Sequence, residues 1–197
     1  MRELVVATEN FGKLREIEES LQDIGVRSIS LKVLAPIPII EENGATFLEN
    51  AFKKARQVAR HSGRLTIADD SGLEVDYLHG KPGVRSARFA GEGASDADNN
   101  RKLLRLLAGI PVAQRGATFR CVIAIVKPQE KEAWVQGECR GVILEQARGQ
   151  EGFGYDPLFF IPDLDKTLAE LPLAVKNRVS HRGRALTALQ QALKDFL

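Results

Sequence analysis

Apolar and polar positions along the chain follow two different periods, and the change from one to the other marks its strands and helices. Short apolar runs that fit buried or alternating strands occupy seven segments. These predicted strands are residues 3–8, 26–33, 64–69, 72–78, 117–127, 132–145 and 158–161. The fifth and sixth, with the turn residues PQEK between them, are typical of a long hairpin.

Apolar residues spaced at intervals of three and four predict helices between these strands. The first runs from Phe11 to Ile24, with Asn10 as its N-terminal cap and Gly25 at its end. The other predicted helices follow Thr46 as far as Gly63, occupy about 96–108, and start near Ser180. This order of elements predicts a mixed sheet with flanking helices.

Three segments interrupt this pattern. Residues 79–100 form a glycine-rich loop of a length that is usually functional or mobile, and residues 147–157 form a second glycine-rich loop. Two prolines make residues 34–40 an extended connection or a sheet edge. The chain has no internal repeat, low-complexity tract or clear linker, which fits one domain of 197 residues.

Composition narrows the classes of function. The chain is 44% hydrophobic and 27% charged, and its formal net charge of +2 comes without a polybasic block, which argues against a nucleic-acid-binding protein. No apolar run approaches the ~20 residues of a membrane span, and the N-terminus does not have the pattern of a signal peptide. Cys121 and Cys139 lie in predicted strands, where small buried side chains in a reducing cytosol are favoured over a disulfide.

The turn from the first strand into the first helix, TENFGK, is the first candidate for chemistry. Asn10, Gly12 and Lys13 stand at a helix start, where free N–H groups and the helix dipole attract anions. A cation is unfavourable there unless an anion joins it. An Asn cap followed by a solvated lysine explains the same residues equally well, and the segment is neither a Walker A loop nor a dinucleotide fingerprint.

The segment TIADDSG places Asp69 and Asp70 at the end of an apolar strand. Carboxylate oxygens suit Mg²⁺, which keeps several waters and also binds substrate phosphates. Local turn hydrogen bonds before Gly72 are the alternative. Because neighbouring side chains on a strand point to opposite faces, the two aspartates share one site only if the strand ends at Ala68.

Three other segments carry weaker signals. On the second helix, Lys54 falls at the edge of the apolar stripe and can reach a cleft, whereas Lys53 falls opposite it and is solvated. The aromatic rings of GFGYDP either stack on a planar base or pack on the core. His181 and Arg182 follow the cap Ser180 in the first turn of the last helix, where they favour an anion or form a solvated basic face.

Six segments taken together resemble one family. They are TENFGK, EENGATFLENAFKKA, IADDSGLEVD, GKPGVRSARFAGE, GFGYDPLFF and VKNRVSHRGRAL, and they span nearly the whole chain in the family's order. The chain is similar to the inosine/xanthosine triphosphate pyrophosphatases, which hydrolyse non-standard purine nucleoside triphosphates. IADDSGL, GFGYDP and SHRG are the most specific of the matching segments.

The resemblance implies a role for each matching residue. Asp70 corresponds to the general base and metal ligand, and Glu41 to a second ligand of Mg²⁺, with Glu42 as its alternative. Asp69 is implied to reach the metal through water or to hold the turn. The implied substrate-binding residues are Thr8, Glu9, Asn10, Phe11, Gly12 and Lys13 in the phosphate loop (residues 8–13), Lys54, Ser71, Phe153, Gly154, Tyr155 and Asp156, and Lys176, His181 and Arg182.

The same resemblance implies a fold and a reaction. The expected fold is α/β, with a mixed, elongated, twisted sheet, flanking helices and two lobes around a central substrate cleft, in a single domain of residues 1–197. The expected reaction is attack of water on the α-phosphorus of ITP, dITP or XTP with Mg²⁺ as cofactor, which cleanses the nucleotide pool. The expected protein is a cytoplasmic homodimer without a stable nucleic-acid partner and without membrane contact. Donors from His181 and Arg182 would favour 6-keto over 6-amino purines.

Overall fold

Seven strands form one mixed sheet in the computed structural model, which describes residues 2–22, 25–34, 37, 40 and 42–197. The strands are β1 (Arg2–Val6), β2 (Val26–Ser30), β3 (Thr66–Val75), β4 (Gly116–Lys127), β5 (Lys131–Ile143), β6 (Phe159–Ile161) and β7 (Lys166–Thr167). Their order across the sheet is β2-β1-β3-β4-β5-β6-β7. β1 pairs in parallel with β2 and β3, whereas β6 pairs antiparallel with β5 and β7. The predicted mixed α/β sheet is confirmed.

Five α-helices accompany the strands in the described residues. They are α1 (Phe11–Leu21), α2 (Phe47–Ser62), α3 (Asp96–Leu106), α4 (Leu173–Val179) and α5 (His181–Leu193). Three of the predicted caps are confirmed: Asn10 accepts a hydrogen bond from the N–H of Lys13, Thr46 accepts one from the N–H of Glu49, and Gly63 ends α2 in the left-handed region. The seven residues of α4 were not predicted, since one short turn after Pro172 carries too few apolar positions to show a helical period.

The predicted strands differ most from the structure in two places. The strands predicted at 64–69 and 72–78 are one continuous strand, β3, in which Asp69, Asp70 and Gly72 are all buried. Ser-Gly is often a turn signal, but Gly72 has no positive φ and continues the strand. β2 ends at Ser30, and residues 31–33 form a 3₁₀ turn instead of its continuation. The predicted helix end at Ile24, most of the connection at 34–40 and Glu41 lie outside the described residues.

Contacts between residues divide the chain into two compact units. Unit 1 comprises Met1–Asp70, Cys121–Gly137 and Arg182–Leu197, and unit 2 comprises Ser71–Arg120 and Glu138–His181. Each unit has its own apolar core. Cys121 is buried in the first and Cys139 in the second, both as free thiols, which agrees with the predicted interpretation. None of the helices in the described part of the chain is long and apolar enough to cross a membrane.

The core of unit 1 explains which face of the sheet receives each side chain. Leu4, Val6, Ile67, Cys121 and Ile123 belong to one apolar cluster with residues of α1 and α5. The alternate residues Val5, Ala68, Val122 and Ala124 are also buried but lie outside that cluster, as do the buried alanines of α2. Since side chains alternate along a strand, α1 with α5 and α2 cover opposite faces of the sheet in this unit.

Candidate active site

Asp69 and Asp70 project from opposite faces of β3, because both lie inside the strand. Asp69 shares its face with Ile67 and contacts Lys13 of α1 and Arg182 of α5. Asp70 faces α2, where it contacts Asn50 and Lys54. The structure therefore decides whether the two aspartates share one site. The strand continues past Ala68, so the two carboxylates lie on opposite faces and have different neighbours.

The Asp69 side of the strand carries a chain of buried ion pairs. Oδ1 of Asp69 lies 2.9 Å from Nζ of Lys13, and Oδ2 accepts a hydrogen bond of 3.1 Å from Nε of Arg182. Nη1 of Arg182 donates in turn to Oε2 of Glu16 at 2.6 Å. The side chains of Asp69, Arg182 and Glu16 are no more than 3% exposed. Each charge in this chain is thus compensated by an adjacent opposite charge.

These neighbours determine the ionisation of Asp69. Burial alone would raise the pKa of its carboxyl, but the positive charges of Lys13, Arg182 and Lys54 outweigh burial and hold the pKa well below its usual range. The same carboxylate contributes to a raised pKa of the buried Cys121 thiol, whose Sγ lies 3.7 Å from Oδ2 of Asp69. Asp69 is consequently a fixed negative charge, with each of its oxygens directed at a cation.

The Asp70 side of the strand is arranged differently. Oδ2 of Asp70 accepts a hydrogen bond of 3.0 Å from the Asn50 amide, and Oδ1 lies 3.5 Å from Nζ of Lys54. Burial raises the pKa of Asp70 above its ordinary range, and the attraction of Lys54 and Lys13 does not cancel that effect. A carboxylate with a raised pKa is a stronger proton acceptor, as a general base requires.

Lys54 brings a second carboxylate close to Asp70. Its Nζ lies 2.8 Å from Oε1 of Glu42, so that Asp70 and Glu42 converge on one cationic group. Burial lowers the pKa of Lys54, but Asp70, Glu42 and Asp69 together raise it above its ordinary value. The helical wheel predicted Lys54 at the edge of the buried face of α2, and the residue is only 7% exposed.

The carboxylate oxygens of Asp70 and Glu42, which both approach Lys54, are ligands of the kind that a hard cation such as Mg²⁺ prefers. In the described part of the chain, no three His, Cys, Asp or Glu side chains form a metal-binding group. Two carboxylates are sufficient, because Mg²⁺ usually takes one or two of them and completes its shell with water and phosphate oxygens. Gly44 keeps the preceding segment close to α2: its N–H donates to Oδ1 of Asn50 at 2.7 Å, and a side chain at position 44 would collide with that oxygen. Glu41 lies outside the described residues.

The phosphate loop leads into the N-terminus of α1. The N–H of Asn10 donates to Oγ1 of Thr8 at 3.2 Å, and Oδ1 of Asn10 accepts from the N–H of Lys13 at 3.0 Å. Glu9 is exposed, so its carboxylate bears no desolvation cost at this position. Phe11 is 66% exposed, and Nζ of Lys32 lies 4.1 Å from the centre of its ring. Gly12, which follows Phe11, is half-buried.

The aromatic segment GFGYDP is closed by its own aspartate, within unit 2. We call residues 152–156 the base loop. Oδ2 of Asp156 accepts hydrogen bonds from the N–H of Phe153 at 3.0 Å and from Nζ of Lys176 at 2.6 Å. Nζ of Lys176 also lies 4.8 Å from the centre of the Phe153 ring. Gly152 has a φ of +77°, and a side chain there would collide with the Asp156 carboxylate. Asp156 is therefore an internal organiser of the loop.

The junction of α4 and α5 carries the other predicted residues. Ser180 is buried and extended, with φ −73° and ψ 162°, between the two helices. The His181 ring stacks on Phe119, with ring centres 4.5 Å apart and planes 9° from parallel. Ser71 directly follows Asp70 and is half-buried. Unit 1 thus contains Lys13, Lys54, Asp70 and Arg182, whereas unit 2 contains Ser71, the base loop, Lys176 and His181.

Sequence reasoning missed several polar residues of these clusters. Asn50 lies one helical turn before Lys54, so the wheel that selected Lys54 would also have found it. Glu16 is 2% exposed, but on a helical wheel it falls away from the apolar stripe of α1, so no local signal marked it as buried. A cavity of about 780 Å³ lies beside α3, and residues 90–94 and several residues of α3 line it. None of the predicted site residues lines that cavity.

Comparisons with known proteins identify the family of this chain. The model of the Ham1 family matches residues 4–192. A relative from Geobacter sulfurreducens named dITP/XTP pyrophosphatase is 53% identical over 98% of this chain and 97% of its own length. The solved structure of a HAM1 protein from Coxiella burnetii has a TM-score of 0.89 at 41% identity and covers 99% of this chain and 100% of that one.

The Ham1 protein of Staphylococcus aureus gives a TM-score of 0.88 at 40% identity, with 100% of both chains covered. The resemblance drawn from the six sequence segments is therefore confirmed over the length of the chain, in sequence and in fold. On these matches, the chain belongs to the Ham1 family.

Proposed function

We propose that this chain hydrolyses ITP, dITP and XTP to the nucleoside monophosphate and pyrophosphate. The observation that carries the proposal is the buried Asp70, which is hydrogen-bonded by Asn50 and shares Lys54 with Glu42. Relatives of nearly equal length that bear the name dITP/XTP pyrophosphatase support the same activity. A buried carboxylate whose pKa is raised favours catalysis over nucleotide binding alone, because perturbed pKa values cluster at catalytic sites.

Asp70 acts as the general base for the water that attacks the α-phosphorus. Its Oδ1 and Oδ2 face Lys54 and Asn50, which fix the direction of the carboxylate. Asp70 and Glu41, or Glu42 in place of Glu41, would hold Mg²⁺. The bound ion would neutralise phosphate charge and acidify the attacking water. Lys13 and Lys54 stabilise the charge that develops on the leaving pyrophosphate.

Asp69 contributes a fixed negative charge to this site. Both of its oxygens are directed at Lys13 and Arg182, so we assign it to those cations and not to the metal ion. Thr8, Asn10 and the N–H groups at the start of α1 complete the binding of phosphate oxygens. Glu9 and Phe11, both exposed, and Gly12 lie in the same loop.

Base recognition is assigned to the base loop together with Ser71, Lys176, His181 and Arg182. Phe153 and Tyr155 supply aromatic surface for a purine. Arg182 and His181 carry N–H donors of the kind that a 6-keto acceptor requires. A donor facing the 6-keto group of hypoxanthine or xanthine meets a 6-amino donor in adenine, and each such mismatch costs roughly 1–3 kcal/mol.

The proposal also covers the domain organisation, oligomeric state, location and cellular role of the protein. Residues 1–197 act as a single two-lobed domain, the protein is a cytoplasmic homodimer, and its activity removes non-standard purines before they enter nucleic acid. Two buried free thiols support a reducing compartment. Light scattering after gel filtration measures the oligomeric state, and a monomer at micromolar concentration would overturn that part.

Pyrophosphate release tests the activity. Purified protein is supplied with ITP, dITP, XTP, ATP or GTP, with Mg²⁺ or with a chelator. We expect fast release from the first three nucleotides, slow release from ATP and GTP, and almost none without the metal. Equal rates with all five nucleotides would contradict the assigned specificity, and tight binding of ITP without turnover would show a binding protein instead.

A further inference from the structure

Helix α3 holds the base loop through the backbone of one residue, Gly154. The N–H of Gly154 donates to Oδ2 of Asp96 at 2.7 Å, and the carbonyl oxygen of Gly154 accepts from Nδ2 of Asn100 at 2.9 Å. Asp96 and Asn100 are four residues apart on α3, so they project from the same side of the helix. Both polar groups of one loop residue are therefore bound by one helix.

The intervening residue Asn99 binds a second loop. Its Nδ2 donates to the carbonyl oxygen of Ala87 at 3.1 Å, and its Oδ1 accepts from the N–H of Ala90 at 2.8 Å. Ala87 and Ala90 belong to residues 83–91 (GVRSARFAG), within the long glycine-rich loop that sequence analysis marked as functional or mobile. Helix α3 thus fixes two segments that are far apart in the sequence.

These two segments are also joined directly. The hydroxyl of Tyr155 donates to the carbonyl oxygen of Ser86 at 2.9 Å, and Ser86 Oγ accepts from the N–H of Leu73 at 2.8 Å. Tyr155 and Ser86 are both buried. The base loop, the 83–91 segment and α3 consequently form a closed ring of hydrogen bonds inside unit 2.

The two asparagines of α3 that form these hydrogen bonds are unfavourable for the stability of the helix itself. Asn99 and Asn100 are adjacent in the helix interior, where asparagine is a poor helix former. Oδ1 of Asn100 is buried and accepts no hydrogen bond from the described residues. An unsatisfied buried acceptor is unfavourable, so stability alone does not explain an asparagine at this position. The helix start is fixed separately by the capping box of Ser95 and Asp98.

Gly154 has a conformation that depends on this support. Its φ is +62°, while a side chain at position 154 would meet no atom within 4 Å. Glycine is therefore needed there for its backbone conformation and not for space. Phe153 and Tyr155 flank Gly154, so the orientation of its two peptide groups sets the directions of both aromatic side chains.

We propose that Asp96 and Asn100 are positioning residues for base recognition, acting through the backbone N–H and C=O of Gly154. This inference rests on the proposed function, because it assigns the base loop to the purine. The residues assigned to phosphate chemistry, Lys13, Lys54 and Asp70, belong to unit 1 and make no contact with Asp96 or Asn100 among the hydrogen bonds and ion pairs of the described residues. We call the two hydrogen bonds from Asp96 and Asn100 to Gly154 the α3 clamp. Loss of the clamp should therefore lower the affinity for the base more than the rate of the chemical step.

Steady-state kinetics with ITP separates these effects. Asp96→Ala and Asn100→Leu should each raise KM about tenfold, the upper end of the range for one lost hydrogen bond, while kcat changes by less than about threefold. Asp96→Asn keeps an oxygen that can accept from Gly154, so it should restore KM to within about threefold of wild type. Arg105→Gln, on the exposed side of the same helix, is the matched control with unchanged KM.

Hydrogen–deuterium exchange of residues 150–157 supplies a readout without turnover. Asp96→Ala should accelerate exchange at Gly154, and Arg105→Gln should not. Faster exchange with an unchanged KM, or equal losses of kcat in Asp96→Ala and Asp96→Asn, would overturn the positioning role. If the wild-type protein hydrolyses none of the three nucleotides, the proposed function fails. The clamp is then judged by calorimetry with inosine monophosphate, where unchanged affinity in Asp96→Ala, or no binding by wild type, overturns it.

Discussion

Asp69 and Asp70 are neighbours of the same residue type, yet their surroundings shift their pKa values in opposite directions. Burial acts on both carboxyls and by itself raises both pKa values. On the Asp69 side, Lys13 and Arg182 contact the carboxylate at 2.9 and 3.1 Å and more than compensate for burial. On the Asp70 side, the nearest cation lies at 3.5 Å and is shared with Glu42.

The difference teaches that the face of a strand can decide the role of a carboxylate. Asp69 is a permanent anion that stabilises buried cations, whereas Asp70 keeps the basicity needed to accept a proton. Substitution by asparagine should therefore reduce activity most at Asp70 and stability most at Asp69.

Asp70→Asn should produce the largest loss of activity. Removal of the general base is expected to lower kcat for ITP by about 10²- to 10⁴-fold. The metal-free protein should keep a melting temperature within about 2 °C of wild type or higher, because a buried charge is replaced by a neutral amide of the same shape. Pyrophosphate release and calorimetric melting measure the two quantities. Near-normal kcat would remove Asp70 from the proposed role.

Asp69→Asn should produce the largest loss of stability. The substitution leaves Lys13 and the buried Arg182 with too little negative charge, and breaking such a pair costs about 3–5 kcal/mol. Urea unfolding measures this change in the free energy of unfolding. We expect a smaller loss of kcat than for Asp70→Asn, and a larger one would reverse the ranking of the two aspartates.

Substitution of Glu41 and of Glu42 tests which of them binds Mg²⁺ together with Asp70. Glu41→Gln should raise the Mg²⁺ concentration for half-maximal activity about tenfold, within the range seen when metal sites lose a supporting group. Glu42→Gln should raise it less, because Glu42 is assigned to Lys54 at 2.8 Å. Titration of activity with Mg²⁺ gives both values. The opposite order would make Glu42 the ligand.

An exposed ion pair provides the smallest effect and a control for Asp69→Asn. Asp76 pairs with Arg140 at the surface of unit 2, with both side chains more than half exposed. Asp76→Asn should change the free energy of unfolding by less than about 1 kcal/mol, the range of surface salt bridges. Urea unfolding in parallel with Asp69→Asn checks the contrast, and equal losses would show that burial does not control the result.

The sequence was sufficient for the elements with strong local signals. Asn10 and Thr46 cap their helices as predicted, because a side-chain acceptor followed by an apolar period is a local property. Lys54 was placed at the buried edge of α2 by helical geometry alone. The mixed sheet followed from the order of strands and helices.

Contacts between distant segments could not be predicted in the same way. The bond between Arg182 and Glu16 joins residues 166 positions apart, and the clamp of α3 on Gly154 joins residues 54 and 58 positions apart. No local pattern encodes such pairs. The continuity of β3 was missed because Ser-Gly is a turn signal in most contexts, and here incorporation into the sheet overrides it.

The unbroken course of β3 also determines which changes in chain length the protein tolerates. One residue inserted or deleted between Thr66 and Asp69 would turn every following side chain to the other face of the sheet. Asp69 would then face α2, and Asp70 would enter the apolar cluster beside α1 and α5. Insertions into the exposed residues 91–93 would leave that order intact. The spacing of this strand is thus as essential to the site as the identity of its aspartates.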